Sequence, residues 1–531
     1  MNDDEIDRRS IVSWAAGLAG VMAAAKVGLG LASAAAQSAA PPATGGAAQQ
    51  NVPPAPPLFT ADLVKDRARA LSAAEYAKPK IDLPSPFDKL SYDQYRDIRF
   101  RTEKSIWRGE KIDFELQPFP MGWLYEAPVE MWLVDEGAAT QMVADGNLFS
   151  IGPLIGTGPD AAPFGFSGFR IHGPINRADY FDEYVVFQGA SYLRAVGRGQ
   201  SYGASARGLA LNTARPGGEE FPMFRAFWIE KPKPGASEIV VHALLDSPST
   251  TGAYRFAIQP GEATVMDVEA TLFPRKALGY VGIAPLTSMF LHGPADQRPM
   301  ADFRPAVHDS QGLAMWSGAG ERIWRPLTNP KMLQTSAFTD KDPKGFGLWQ
   351  RDRSFASFQD LEAHYERRPS VWVEPKGSWG EGFIELIEIP VEDEIHDNIV
   401  VYWKPAAAYE PGLVQTLNYR LYWSEHVPAA WSGARVATTR VGRAKKPDEF
   451  LFVIDLQGTA VQDIRDLPVA DITASKGAIS NMVVQRNPEL PGVRVAFELN
   501  PDGAELVELR LVLKAQEQTI SETWLYRWTA P

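Results

Sequence analysis

The chain has 531 residues, which is too many for a single hydrophobic core and predicts two or more domains. It contains no cysteine, and this excludes disulfides, thiolate nucleophiles and cysteine-ligated metals. Its net charge of -12 argues against nucleic acid as a partner, because an acidic surface repels phosphate. A neutral polysaccharide would meet no such repulsion.

The N-terminus has the features of an export signal. Arg8 and Arg9 precede a weakly apolar run of small residues, which is typical of Tat signal peptides. An uncleaved anchor is the alternative, although Lys26 weakens a spanning helix. We expect a signal peptide at 1–36 that the Tat translocon recognises, with no stable membrane insertion after its cleavage. A disordered Ala/Pro/Gly/Gln linker is predicted at 37–57, and the mature protein is predicted to be periplasmic.

The mature chain begins with helical patterns and then changes to strand patterns. Residues 60–77 place apolar side chains at helical spacing, and Ser91 with Gln94 predicts a capping box at a second, short helix. Short strands then alternate with glycine and proline turns from 165 to about 401, and 264–272 has the pattern of a half-buried strand. No run of βαβ units is present, so we predict an all-β fold with few short helices.

A second domain is predicted towards the C-terminus. Residues 405–412 interrupt the strand pattern and end in Glu-Pro-Gly, which is a turn sequence. Strand patterns resume beyond it, in a number that suits a small sandwich of about 100 residues. We therefore predict a large β domain at 58–404, a linker at 405–412 and a second β domain at 413–531.

Two His-Asp pairs, His308-Asp309 and His396-Asp397, are the candidates for catalysis. The second pair lies in the acidic stretch 388–397. Hydrolysis of a glycosidic bond needs one carboxylic acid to protonate the leaving oxygen and a second carboxylate to activate water or to attack. Neighbouring carboxylates raise the pKa of at least one of them, which suits a general acid.

Each of these motifs also has a simpler interpretation. An acidic run is most often solvated surface, and the sequence around Asp309 is also typical of a turn. A calcium site at 392–397 would lack EF-hand spacing, and a transition-metal site at His308 and His396 would lack the usual ligand pattern. We predict neither a metal nor another cofactor.

An aromatic and arginine-rich stretch covers 361–379. It contains Tyr365, Arg368 and Trp379. Such residues suit a polysaccharide cleft, because an aromatic face packs against the C–H face of a sugar ring, but they equally suit the edge of a hydrophobic core. The spacing alone does not decide between the two.

Longer stretches of the chain resemble the periplasmic glucan biosynthesis proteins G and D (the OpgG/OpgD family), and they cover nearly the whole chain from residue 58. They include Tyr202–Ala210, Gly218–Pro222, Ala243–Pro248, Ala284–Phe290, Arg322–Leu327 and Ser521–Trp524. The Tat-type leader is more similar to the D branch. The resemblance implies a large galactose-mutarotase-like β-sandwich followed by an immunoglobulin-like β-sandwich. It also implies a role in making osmoregulated periplasmic glucans, whose backbone is β-1,2-linked glucose.

The resemblance assigns roles to particular residues. Members of the D type are similar to inverting endo-β-1,2-glucanases; by this resemblance Asp397, in His-Asp-Asn, matches the general acid. Asp309, in His-Asp-Ser, matches a general base that acts through a water relay. Glu394 and Tyr365 fall where the family lines its cleft and supports the acid. The neighbouring His308 is interpreted as structural.

The resemblance is also compatible with further substrate contacts and with other functions. Arg368 and Trp379 are further candidates for binding the β-1,2-glucan substrate. A non-catalytic glucan-binding or chaperone module would share the fold and the cleft, and so would a transferase that branches the backbone. The resemblance is compatible with a homodimer, and it is poor around 435–448.

Overall fold

A computed structural model describes almost all of the chain beyond the predicted signal peptide and linker, which lie outside the described residues. The described residues are 58–80, 83–156, 165–296, 301–426, 431–462 and 464–530. They fold mostly into β-strands that form several sheets, which confirms the all-β sandwich prediction. A search of this part of the chain found no helix long and apolar enough to cross a membrane.

Helices are short in the described residues. The α-helices are α1 (Ala61–Ser72), α2 (Tyr92–Arg96) and α3 (Thr459–Gln462), and the 3₁₀ helices are Phe87–Lys89, Thr102–Lys104, Gly146–Leu148, Phe355–Ser357 and Tyr365–Arg367. The predicted capping box begins α2: the Ser91 hydroxyl accepts from the Gln94 N–H, and the Gln94 side chain accepts from the Ser91 N–H. Helix α1 ends before the predicted 77, because its packing against the sheet ends near Leu71.

Strands β1 to β16 lie between residues 98 and 292. They are β1 (Ile98–Phe100), β2 (Glu115–Pro120), β3 (Glu130–Asp135), β4 (Ala138–Gln141), β5 (Phe149–Ile151), β6 (Phe166–Arg177), β7 (Tyr180–Gln188), β8 (Tyr192–Ala195), β9 (Ser205–Arg207), β10 (Leu209–Leu211), β11 (Met223–Glu230), β12 (Ile239–Asp246), β13 (Thr250–Gln259), β14 (Thr264–Pro274), β15 (Val281–Ser288) and β16 (Phe290–His292). The predicted strand at 264–272 is β14, and its burial alternates as expected up to Ala270.

Strands β17 to β33 lie between residues 307 and 529. They are β17 (Val307–His308), β18 (Gly312–Trp316), β19 (Arg322–Pro326), β20 (Gln334–Lys341), β21 (Gly345–Trp349), β22 (Ser370–Lys376), β23 (Glu381–Glu388), β24 (Ile399–Pro405), β25 (Gln415–Ser424), β26 (Arg435–Arg443), β27 (Phe450–Gln457), β28 (Val469–Ala474), β29 (Ala478–Asn487), β30 (Gly492–Asn500), β31 (Leu506–Ala515), β32 (Gln518–Thr519) and β33 (Thr523–Thr529).

Two large sheets pack face to face to form the large sandwich. One is ten-stranded, with the order β2-β6-β7-β8-β9-β15-β24-β23-β20 and with β10 also paired to β15. The other is fifteen-stranded, with the order β28-β31-β33-β19-β18-β21-β22-β25-β14-β13-β12-β11-β3-β4 and with β32 paired to β31. Phe187 of the first sheet packs on Phe227 and Phe256 of the second, with ring centres 5.5 and 5.3 Å apart. Such contacts make the interior a continuous apolar core.

Strand β25 corrects the predicted domain boundary. It pairs with β14 on one side and β22 on the other, in the middle of the fifteen-stranded sheet. Its residues Leu417, Tyr419, Leu421 and Trp423 are buried in the core of the large sandwich. The break at 405–412 is therefore a loop of the large sandwich, and the chain leaves that sandwich only after β25.

The C-terminal strands form the smaller sandwich. A four-stranded sheet, β26-β27-β30-β29, packs on β28, β31 and β33. Phe452 of this sheet lies 6.0 Å from the ring of Trp524 and 5.3 Å from that of Tyr526. The two sandwiches share a sheet, because β33 pairs in parallel with β19. An ion pair with N···O distances of 2.7 and 2.8 Å joins Arg351 to Glu522 across the junction.

A buried ion pair near this junction gives a stability prediction. The Arg325 guanidinium lies 3.1 Å from Glu388 Oε2, and Oε1 of Glu388 accepts from the N–H and the hydroxyl of Thr328. We expect Glu388→Gln to lower the free energy of unfolding by about 3–5 kcal/mol, because it leaves a buried guanidinium without its counter-charge. Denaturant titration measures this loss. The control is Glu381→Gln, at the exposed start of the same strand, and equal losses in both variants would contradict the prediction.

Candidate active site

Asp309 follows directly after β17, and a backbone hydrogen bond fixes its position. Its N–H donates to the carbonyl of Met289 at 2.9 Å, and the hydroxyls of the adjacent Ser310 and of Ser288 are 2.8 Å apart. The side chain is only 2 % exposed, and its Oδ1 lies 3.0 Å from Nη1 of Arg368. The turn interpretation of this motif is thus insufficient, because a solvated turn would not bury a carboxylate against an arginine.

Asp397 lies in the loop between β23 and β24, and Asn398 fixes this loop. The buried Asn398 amide accepts from the Phe290 N–H at 2.8 Å and donates to the carbonyls of Phe290 and Ile389 at 3.0 Å. Its backbone N–H donates to the carbonyl of Ser288 at 3.0 Å. The 288–290 segment therefore binds both loops that carry the candidate aspartates, and it sets their positions relative to each other.

Each of the two aspartates pairs with a buried arginine. Nη2 of Arg194, on β8, lies 3.5 Å from Oδ2 of Asp397, just as Arg368 contacts Asp309. Each arginine also affects the more distant aspartate. Burial raises the pKa of Asp397 and lowers that of Arg194; Arg368 opposes the first shift, and Asp309 opposes the second. The four charges thus form one electrostatic unit, the carboxylate–arginine cluster.

Burial gives Asp397 the character of an acid. Desolvation raises the pKa of this carboxyl above its ordinary value, and Arg194, Arg207 and Arg368 offset only part of the increase. The side chain is 8 % exposed. Its Oδ1 is buried and accepts no hydrogen bond from the part of the chain that the structure describes. A raised pKa keeps the proton on the carboxyl to higher pH, as proton donation to a leaving group requires.

A second charged group lies beside this cluster and contains Glu394. The guanidinium of Arg304 contacts three carboxylates: Glu394 at 2.7 Å, Asp360 at 2.9 Å and Asp302 at 2.7 Å. We call these four residues the Arg304 group. It joins the loop of Asp397 to the loops around 302 and 360.

Tyr365 lies between the Arg304 group and the carboxylate–arginine cluster. Its ring is buried, and the guanidinium of Arg368 lies 4.8 Å from the ring centre. Burial raises its pKa, Arg368 lowers it, and both Glu394 and Asp309 raise it further. The structure therefore brings together five of the six predicted site residues: Asp397, Asp309, Arg368, Tyr365 and Glu394.

Comparison with known proteins identifies the family. A family model described as "Periplasmic glucan biosynthesis protein, MdoG" matches residues 59–528. This chain belongs to that family. Its description implies a periplasmic location for the members.

Individual relatives agree with this assignment. The chain is 51% identical over 475 residues to the "Glucans biosynthesis protein G" of Shewanella frigidimarina, covering 89% of this chain and 85% of the relative. It is 50% identical over 474 residues to the protein of the same name from Vibrio cholerae serotype O1, covering 89% and 87%. The comparisons do not resolve the G and D branches, so the closeness to the D branch stays a prediction.

Trp379, the sixth predicted site residue, lies elsewhere in this family member. It is buried in the core of the large sandwich, with its ring 6.3 Å from that of Trp403 and 6.0 Å from that of Tyr419. It lies beside the end of β24, whereas Asp397 precedes the start of this seven-residue strand. The two are therefore about 20 Å apart at roughly 3.3 Å per residue. For this residue the core interpretation is correct, because its ring faces side chains and not a cleft.

His308 has a structural environment. Its imidazole stacks on Phe290 with ring centres 5.2 Å apart, and Phe358 approaches its edge at 5.1 Å. Burial lowers the pKa of this imidazole to about 4, so the ring is neutral at neutral pH. This agrees with the interpretation of His308 as a neighbour of Asp309 that packs the loop.

The acidic stretch at 392–397 does not converge on a common point. Glu392 and Asp393 are exposed, Glu394 turns to Arg304, and Asp397 turns to Arg194. Within the described ranges, no three histidine, aspartate or glutamate side chains are grouped so that they could hold a metal ion.

Asn398 is a positioning residue that the sequence reasoning missed, although it directly follows Asp397. We expect Asn398→Ala to lower the free energy of unfolding by about 2–4 kcal/mol, because it leaves a buried N–H and two carbonyls without their partners. Thermal and denaturant unfolding measure the loss. The matched control is Asn418→Ala, whose side chain is exposed on β25 and should change stability by less than about 0.5 kcal/mol. An Asn398 variant as stable as this control would contradict the assigned role.

Proposed function

We propose that this protein acts in periplasmic glucan biosynthesis as an inverting endo-β-1,2-glucanase, with Asp397 as the general acid and Asp309 as the general base. The supporting observation is that two carboxylates, distant in sequence, lie on loops bound to the same 288–290 segment, and that each pairs with one of two buried arginines. The family membership supports the glucan as substrate.

The acid step follows from the environment of Asp397. Burial favours its protonated form, so the carboxyl donates a proton to the oxygen of the bond being cleaved. Donation leaves a carboxylate whose Oδ2 is 3.5 Å from the Arg194 guanidinium, and this charge stabilises the anion as it forms. Arg207, which binds Glu219, adds a second positive charge nearby.

The base step follows from the environment of Asp309. Its ion pair with Arg368 stabilises the carboxylate, so an ionised group is available to accept a proton from the attacking water. Since its side chain is only 2 % exposed, we propose that the proton reaches it through one or more further waters. An ordinary inverting pair of carboxyls is about 6.5–9.5 Å apart, and a relay permits a longer separation.

Thin-layer chromatography of the purified protein with linear β-1,2-glucan tests the proposal. Shorter oligomers are expected, and NMR of the first products should show the α-anomer, because inversion converts a β-linkage to an α-hydroxyl. Binding of glucan without any products would instead establish a binding or chaperone module, which the name "biosynthesis" of the relatives also fits. Longer or branched products would establish a transferase.

The cellular part of the proposal is export by the Tat pathway. The twin arginine at Arg8 and Arg9 and the small residues before 36 support it, together with the periplasmic description of the family. The signal peptide would be removed, and the mature protein would meet its polysaccharide in the periplasm.

A further inference from the structure

Two large apolar side chains are largely exposed next to the Arg304 group. Phe303 is 76 % exposed and immediately precedes Arg304, and Leu361 is 77 % exposed and immediately follows Asp360. Exposure of a single apolar residue is common. Here, however, the two residues flank the two ends of one buried ion pair, Arg304–Asp360, with an N···O distance of 2.9 Å.

Hydrogen bonds between its two neighbours hold the backbone that presents Phe303. The side chain of Asp302 accepts from the Arg304 N–H at 2.9 Å and from the Arg304 guanidinium at 2.7–3.2 Å, so a closed turn holds Phe303 between them. The loop of Leu361 is fixed in a similar way, since Asp360 accepts from the N–H groups of Glu362 and Ala363 at 2.9 and 2.8 Å. An aromatic ring on such a turn loses little conformational freedom when it binds a ligand.

The same turn is connected to the candidate active site. Arg304 contacts Glu394 at 2.7 Å, and Glu394 lies three positions before Asp397 in the same loop. Phe303 therefore directly precedes, in the chain, the arginine of the group that borders Tyr365 and the carboxylate–arginine cluster. An exposed aromatic face next to the candidate active site suits a sugar, whose C–H face packs on the ring.

We propose that Phe303 is a sugar-stacking residue for a glucose unit of the β-1,2-glucan, bound beside the carboxylate–arginine cluster, with Leu361 adding apolar surface on the adjoining loop. This inference rests on the proposed function for the identity of the glucan. A neutral sugar fits better than a protein partner, because the exposed apolar surface consists of isolated side chains within a charged surround. Phe303 would act in binding and not in the chemical step.

Affinity for linear β-1,2-glucan oligomers, measured by calorimetry in an Asp397→Asn background that prevents turnover, tests the inference. We expect Phe303→Ala to weaken binding about 3- to 10-fold, and Leu361→Ala to weaken it less. Phe303→Trp should stay within about twofold of the parent, because it keeps an aromatic face. Leu413→Ala, which removes another exposed apolar side chain beyond the end of β24, should bind like the parent.

Kinetics of the same substitutions with Asp397 intact separate this inference from the proposed function. We expect Phe303→Ala to raise KM for the glucan about 3- to 10-fold with little change in kcat, as the loss of uniform binding requires. Weaker binding of the Phe303 variant in a protein without hydrolytic activity would support the stacking role and refute the enzymatic one. Unchanged affinity and unchanged KM in an active enzyme would overturn the stacking role alone.

Discussion

Replacing Asp397 by asparagine is expected to reduce hydrolysis of linear β-1,2-glucan by about 10³-fold, since an amide of the same shape has no proton to give the leaving oxygen. The fold should persist, because Asn398 and not Asp397 ties the loop to the 288–290 segment. The initial rate of reducing-end formation measures the loss, and circular dichroism verifies the fold. Activated aryl glycosides, whose phenol leaves without protonation, should lose much less activity.

The pH dependence of the wild-type rate provides a second check on the same residue. Because burial raises the pKa of Asp397, its protonated form extends above the ordinary range of an aspartate and is lost as the pH rises through that value. Activity should therefore fall on the alkaline side with the titration of one group. Glu392→Gln, an exposed neighbour in the same loop, is the control and should retain the full rate and profile. Equal rates for the Asp397 and Glu392 variants would rule out the acid assignment.

Replacing Asp309 by alanine is expected to reduce the same hydrolysis by about 10²- to 10⁴-fold, because the attacking water then lacks its proton acceptor. Azide, which needs no base, should restore part of the rate to this variant and not to the Asp397 variant. Glycosyl azide of inverted configuration is the product to detect by mass spectrometry and NMR. This contrast assigns the base and the acid separately.

The Asp309 substitution needs a control for the loss of its ion pair with Arg368. Removal of this carboxylate also deprives Arg368 of its contact at 3.0 Å, and a purely structural effect of this loss has a different signature. A structural role predicts a lower unfolding temperature and no response to azide. Asp502→Asn, on an exposed turn of the small sandwich, supplies the reference for both measurements.

The sequence predicted well those features that depend on neighbours along the chain. The capping box of Ser91 and Gln94 and the alternation in β14 are local patterns, and both appear as expected. The strand pattern of β25 was equally clear, but alternation shows which side chains are buried and not which strand is the partner. Its place between β14 and β22 therefore could not be inferred, and the domain boundary was set too early.

The candidate site shows the same limit. Asp397 and Asp309 were selected as candidates from their His-Asp motifs together with the family resemblance, because chemistry restricts which residue types can act as acid and base. Arg194 and Arg304 were not found, because they contact the site from strands and loops far away in sequence. Trp379 was assigned to the site wrongly for a related reason. The sequence does not distinguish a tryptophan in a core from one in a binding cleft, and only its spatial neighbours Trp403 and Tyr419 show that Trp379 belongs to the core.

The place of β33 has a consequence for how the protein folds. Ile323 of β19 pairs with Thr523 of β33, 200 positions later, so the shared sheet cannot be completed until the last strand has been synthesised. Contacts between such distant segments slow folding, because a long loop must be closed before they form. We expect the shared sheet to form only after β33 has been synthesised, so that a chain truncated just before β33 would expose the edge of β19 and aggregate.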